Sequence, residues 1–246
     1  MKPCLLIPIY NHKETIRDVL VSLAYLELHC LIVDDGSDAE TVRVLTDAQR
    51  EFDWVEVERL PINRGRGAAL HHGYSAAARR GFTHAVQLDA DGQHDPADVP
   101  QFLEAARRRP DAVILGDPRF DETAPRSRLY GRKLSRFWVR IETLSSAIRD
   151  PLCGFRCFPL ERTLRVLSRR GLGDRMEFDP EIAVRLVWDG VPVANLPTRV
   201  RYFPGGLSHF RPVEDNLRIS WMHTRLVFGM LRRLPGRLRS RAQRPR

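Results

Sequence analysis

Short, mainly apolar runs that stop at an aspartate or a glycine recur through the first half of this chain, and stretches of helical periodicity lie between them. "CLLIPI" at 4–9, "CLIVDD" at 30–35, "HAVQLDAD" at 84–91 and "DAVILGD" at 111–117 read as strands buried on both faces. "WVEVERL" at 54–60 alternates, which predicts a more exposed strand. After the first run, Ile16, Val19, Leu20, Leu23 and Leu26 fall on one helical stripe; in "DPADVPQFLEAARRR", Val99, Phe102, Leu103 and Ala106 form another. Repeated strand–helix units restrict the chain to an α/β fold, an open, mostly parallel sheet flanked by helices. Ligands of such sheets gather at the carboxyl ends of the strands. With 246 residues the chain has length enough for one such domain.

The second half changes character. Residues 119–149 are Arg-rich and predict a loop followed by a helix, and "DPLCGFRCFP" at 150–159 predicts a loop punctuated by Gly and Pro. "FDPEIAVRLVWDG" reads as a helix closed by Gly190, strands follow near 191–203, and "PGGLSHFRP" is a further loop. A final helix is expected from 214 to about 234, with Ile219, Met222, Leu226 and Met230 on one stripe. The expected organisation is therefore a domain over 1–212, an amphipathic helical segment over 213–234 and a basic disordered tail over 235–246.

Net charge is +9, but residues 232–246 hold seven Arg and no Lys, Asp or Glu, which leaves +2 on residues 1–231. Basicity belongs to the end of the chain, and the body carries no nucleic-acid signature. Cys4 and Cys30 sit in apolar runs, and Cys153 and Cys157 have no second pair at metal-ligand spacing, so the thiols read as structural. The apolar start is too short for a secretory signal, and no window approaches the roughly 18 continuous apolar residues of a membrane span. The default compartment is the reducing cytoplasm.

Asp89 and Asp91 carry the chemistry. Two residues apart in an extended segment, their side chains point to one side, and Gly92 lets the backbone turn. Paired carboxylates at a strand end suit a hard divalent cation, and Gln93 adds a carbonyl oxygen. Asp95 reads instead as the cap of a helix whose first residue is Pro96. Tyr10 is placed to stack on a base, and Asn11, Asp34 and Asp35 to read its edge. "NRGRGAALHHG" sets Arg64 and Arg66 beside Gly65 and Gly67 ahead of a helix, a phosphate-binding composition. It is not a dinucleotide fingerprint, because Leu70 stands where the last Gly would fall.

Taken in order, "PIYNHKETI", "VDDGSD", "NRGRGAA", "LDADGQHDP", the "GDP" at 116–118, "GFR" at 154–156 and "EFDPEIAVRL" resemble the family 2 glycosyltransferases of GT-A fold, over roughly residues 3–209. The chain looks most like the dolichyl- and polyprenyl-phosphate sugar transferases. This resemblance implies an inverting, metal-dependent transfer from a nucleotide-diphosphate sugar, with Mg2+ or Mn2+ as cofactor. It assigns donor binding to Pro8, Tyr10, Asn11, Glu14, Asp34, Asp35 and Asp89, with Arg64 and Gly67 for phosphate, and metal binding to Asp89, Asp91 and Gln93. It sets Gly154, Phe155 and Arg156 near the acceptor and gives Glu181 the place of a carboxylate in the lipid-phosphate enzymes.

A lipid phosphate is already a nucleophile but needs cations to hold it; Arg119, Arg128, Arg132 and Lys133 are candidates, Arg119 foremost. A hydroxyl acceptor would need a base, for which Asp179, Glu177 and Asp150 are available, while the catalytic part of Asp91 is to hold the cation. Asp179 is equally placed as a helix N-cap with Pro180 at the first helical position. His209 departs from the family pattern, standing in "GGLSHF" where those enzymes have a lysine. Those enzymes often continue into membrane helices, whereas here Trp221, Met222, Leu226, Phe228 and Met230 share a helix with arginines. That composition predicts a peripheral site on the inner face of an anionic membrane, and equally a helix packed on the body. Two other readings stay open: a catalytically silent membrane adaptor with an Arg-rich tail, and a nucleotidyltransferase that would release pyrophosphate.

Overall fold

The apolar runs form strands: β1 (Pro3–Ile9), β2 (Cys30–Asp34), β3 (Val55–Arg59), β4 (His84–Gln87) and β5 (Val113–Phe120). β6 (Arg156–Pro159) and β7 (Val193–Val200) complete one seven-stranded sheet in the order β3-β2-β1-β4-β6-β5-β7. The computed structural model describes residues 1–120, 126–169, 171–201 and 210–242, with backbone alone at 126–128 and 235–242. Only β6 runs antiparallel, against both β4 and β5. It is made of residues the sequence reading left in a loop; four residues bracketed by Arg and Pro carry no period, and only pairing with β4 and β5 makes them a strand.

Side chains alternate across the sheet, so each strand feeds two layers. Leu5, Ile7, Ile32, Val86 and Ile114 pack with α1 (Ile16–Leu23), α2 (Ala39–Glu51) and α4 (Val99–Arg108). Leu6, Leu31, Val33, Ala85 and Leu115 pack on the other face with α3 (Arg66–Arg79), α6 (Leu160–Leu167), α7 (Phe178–Trp188) and α8 (Pro212–Ala242). Of the predicted stripes, Ile16, Val19, Leu20 and Leu23 are buried, as are Val99, Phe102, Leu103 and Ala106, whereas Leu26 falls in a 3-10 turn after α1 and is half-buried. Each of the larger side chains contributes about 1.5–3 kcal/mol of burial. Asp95 caps a single 3-10 turn leading into α4, accepting from the Ala97 N–H at 3.0 Å.

α5 (Arg126–Thr143) lies beside α8. α8 takes in 213–234 and runs on to Ala242 through residues expected in the tail. Met222, Leu226 and Met230 pack on the body, whereas Trp221 and Phe228 are exposed, so packing and exposure divide the stripes of one helix. Among the described residues, no helix is long and apolar enough to cross a membrane. Parallel register aligns Ile9 with Asp34 and Leu6 with Gln87, so β1, β2 and β4 deliver their carboxyl ends to the same edge.

Candidate active site

At that edge opens a cavity of about 1250 Å³. Pro8 and Tyr10 reach it from the end of β1, Asp35 from β2, Gly65 and Arg66 from the start of α3, Asp89, Asp91 and Gln93 from the turn after β4, and Asp179 from α7. α5 and α8 supply a further part of the described wall, including Trp138, His223 and Phe228. The space exceeds the roughly 300–1,000 Å³ of an ordinary ligand pocket, so it has room for two substrates.

β4 ends at Gln87, earlier than "HAVQLDAD" suggested, and Asp89 and Asp91 sit in the following turn, where Gly92 takes a φ of +72°. Buried Gln87 braces that turn: the Tyr74 hydroxyl donates to its carbonyl oxygen, and its amide donates to Gly154 O at 2.8 Å and to Asp179 Oδ1 at 3.4 Å. The Arg66 guanidinium lies between two carboxylates, pairing with Asp89 and bonding Asp179 Oδ2 through Nη1 at 2.6 Å. His94 Nε2 meets the other Asp89 oxygen at 3.1 Å, and a backbone bridge ties His94 to Val200 of β7.

Burial alone would raise the Asp89 carboxyl, but Arg66 and His94 outweigh it and hold this group well below the usual carboxylate range. Burial likewise opposes the charge of Arg66, and the Asp179 and Asp89 carboxylates reverse that effect. Asp91 goes the other way: burial, reinforced by the charge of Asp89, pushes its carboxyl up. That rise marks a local deficit of positive charge. A divalent cation would supply it, and the two carboxylates with the Gln93 carbonyl are the oxygen donors it prefers. Among the described residues, no group of three or more His, Cys, Asp and Glu side chains forms a complete metal cage. Diphosphate oxygens and water would fill the other positions.

The remaining expected residues separate into wall and frame. Asn11 caps rather than lines, its carbonyl accepting from Asp38 N and its N–H donating to Ser37 Oγ, with φ at +54°. Glu14 is exposed beside Lys13, and Asp34 is buried, bonded to Ser37 N and paired with Arg59 at 3.1 Å. Asp35 holds the backbone ahead of α3, accepting from Arg64 N and Gly65 N at 2.8 Å each. The Arg64 side chain is exposed and outside the described cavity wall, so Arg66 stands where Arg64 was expected. Gly67 serves packing: a Cβ there would come within 2.6 Å of Phe178 Cβ.

On the acceptor side the corrections are larger. Phe155 stacks on Phe102 in the core, with centroids 4.1 Å apart. Arg156 is fully buried and donates to the carbonyls of Cys153, Asp179 and Pro151. Both are fully buried, Phe155 just ahead of β6 and Arg156 as its first residue, in the interior of the sheet between β4 and β5. Arg119 is exposed near Asp117 and outside the described wall, whereas Arg132 lines the cavity, bonds Asp150 Oδ1 at 2.6 Å and lies over the Phe120 ring. Gly154 lines the cavity at the point where the Asp89 carboxylate leaves no room for a side chain. His209, with the rest of 202–209, lies outside the described residues.

Among the carboxylates, Glu181 is fully buried, bound to Gly173 N, Arg185 and Arg225, and so braces α7 against α8. Glu177 is buried at the N-cap position of α7 and does not line the cavity. Asp179 lies inside the first turn of α7, which starts two residues earlier than a cap at that position would require. Sequence reasoning passed over Gln87 and His94 and noted Arg66 only as one of two equivalent arginines. The available signal was position: Arg66 is the first residue of α3, and side chains there lean back over the preceding loop.

Residues 4–165 match the sequence model of Glycosyl transferase family 2. A Methanocaldococcus jannaschii protein described only as uncharacterised is 25% identical over 215 residues, covering 83% of this chain and 90% of that one. Polyprenol monophosphomannose synthase of Mycolicibacterium smegmatis is 34% identical over 112 residues, spanning 44% of this chain and 42% of that enzyme. In structure, glucosyl-3-phosphoglycerate synthase of Mycobacterium tuberculosis with Mn2+, UDP and glucosyl-3-phosphoglycerate superposes with a TM-score of 0.64 at 18% identity, over 94% of this chain and 78% of that one. That likeness identifies the same fold, the nucleotide-sugar transferase architecture.

Proposed function

Because this chain belongs to glycosyl transferase family 2, we propose that it moves a sugar from a nucleotide-diphosphate sugar to a lipid-linked acceptor, a polyprenyl phosphate in chemistry. The observation that carries this reading is the Asp89–Asp91–Gln93 turn, paired through Asp89 with Arg66 in the wall of a cavity with room for donor and acceptor together. Tyr10 and Asp35 border the donor end, with Tyr10 offering a ring for the base. Asp89, Asp91 and Gln93 would hold Mg2+ or Mn2+, which supplies charge neutralisation to the leaving nucleoside diphosphate.

An acceptor phosphate oxygen attacks the anomeric carbon as the bond from that carbon to the diphosphate oxygen breaks, with inversion. The nucleophile is already anionic, so no carboxylate has to accept a proton. Consistent with that, Asp179 is committed to Arg66 and Gln87, and its part is to orient the guanidinium beside Asp89.

Support for a lipid acceptor comes from a relative that makes a polyprenol-linked mannose and from exposed apolar side chains of α5 and α8. Tyr130, Leu134 and Phe137 on one helix and Leu217, Trp221 and Phe228 on the other are exposed among arginines. Apolar side chains set among cations suit an anionic membrane surface, on which the protein would sit peripherally from the cytoplasmic side. The test is Asp91→Asn, assayed with Mn2+ and UDP-, GDP- or dTDP-sugars. Wild type should gain roughly 2–3 kcal/mol from its true donor well above the dissociation constant, and the variant should lose that gain and all transfer while melting normally. Undiminished transfer by the variant would sink the assignment.

A further inference from the structure

The buried pair Glu142–His223 plays no part in that chemistry. Glu142, near the end of α5, is fully inaccessible, and His223, on α8, is 6% exposed. His223 Nδ1 meets Glu142 Oε1 at 2.6 Å, and the imidazole lies over the indole of Trp138, with centroids 6.2 Å apart. Its Nε2 has no hydrogen-bond partner among the described residues, and the side chain borders the large cavity. The second Glu142 oxygen is also unpartnered.

Burying such a pair adds little stability over an apolar pair of the same volume. An unsatisfied nitrogen in that position adds a further cost. Burial pushes the Glu142 carboxyl up, with His223 only partly opposing it. The geometry leaves Nε2 buried and unpaired in a side chain that borders the cavity, and a ligand bringing an oxygen to that edge would supply the missing partner. Arg132, Arg175 and Arg211 border the same cavity and favour an anionic one.

We propose that His223, oriented by Glu142, binds a phosphate-ester oxygen of the acceptor in the part of the cavity between α5 and α8. Resting on the transferase reading, the proposal adds a recognition residue to it. Ser135, Ser220 and Thr224 flank the position with further hydroxyls.

Calorimetric titration with farnesyl phosphate and with glycerol 3-phosphate tests it, separating a lipid-borne phosphate from a soluble one. Two proteins are compared with wild type: His223→Phe, and the double variant Glu142→Leu/His223→Phe, whose apolar pair keeps the core filled should the single change unfold it. The expected result is at least tenfold weaker binding of one or both esters, and a raised acceptor KM at unchanged kcat. Stabilisation by UDP with Mn2+ should not change. Loss with farnesyl phosphate alone assigns the site to a lipid, and loss with both assigns it to the phosphate itself. Affinities within twofold of wild type in a folded variant, or no binding of either ester to wild type, overturn the proposal. Asp91→Asn separates the two readings, because it should lose the donor and keep the ester.

Discussion

Replacing Arg156 by Met should cost more stability than any single change at the cavity wall. The side chain is fully buried, and its Nε, Nη1 and Nη2 donate to the carbonyls of Cys153, Asp179 and Pro151 at 2.7, 2.7 and 2.6 Å. Met fills much of the volume but donates nothing, so three main-chain oxygens lose a cationic partner in a place water does not reach. Taking each charge-assisted bond at roughly 1.5 kcal/mol gives a loss of about 4–5 kcal/mol. For a chain of this size that corresponds to about 10–15 °C in Tm, readable by calorimetry or circular dichroism. Arg156 also fastens α7 where Asp179 reaches the cavity, so the affinity for UDP with Mn2+ should fall together with Tm. A drop below about 3 °C would refute the claim that this arginine is a framework cation, and would return it to the acceptor side.

Asp91 gives a pH signature. Its carboxyl is raised above the ordinary 3.8 by burial and by Asp89, so the folded chain holds this proton more tightly than the unfolded one. The contribution is complete below that pH and is lost as pH rises through the folded value; without divalent cations, Asp91→Asn should match or exceed wild type in Tm at pH 7 and lose the advantage near pH 4. A variant less stable at pH 7 would contradict this. Gly154→Ala places a Cβ against the Asp89 carboxylate and 2.9 Å from Arg66 Nη2; transfer should fall at least tenfold with Tm reduced only modestly, and wild-type rates would show that the turn tolerates displacement. The four thiols are free and buried, and burial pushes those of Cys4, Cys153 and Cys157 up to about 12 and that of Cys30 higher still. Titration with a disulfide reagent should find none reactive in the native state, and prompt labelling of one or more would disprove their burial.

What could be read in the sequence was whatever is encoded locally. The stripe of α1, the inner face of α4 and the Asp95 cap each depend on neighbours a few residues away, and each stands as expected. The carboxylate turn after β4 was legible because strand ends in parallel sheets collect at one edge. What the sequence hid depends on distant partners. β6 exists through its pairing with β4 and β5, which seats Arg156 inside the sheet, and Phe155 is buried just ahead of it. Glu181 entered the candidate set through the family resemblance alone, and its contact with Arg225, 44 residues away, is visible only in the fold. Likewise, no local pattern connects Glu142 with His223, which stand 81 positions apart.

The guanidinium of Arg66 reaches Asp89 across 23 positions of sequence and Asp179 across 113. Three segments thereby share one cation, and a change in any of them alters what the other two experience. Substitutions at Arg66, Asp89 and Asp179 should therefore be epistatic, with paired changes departing from the sum of their single effects. In homologues these positions are expected to drift together or not at all.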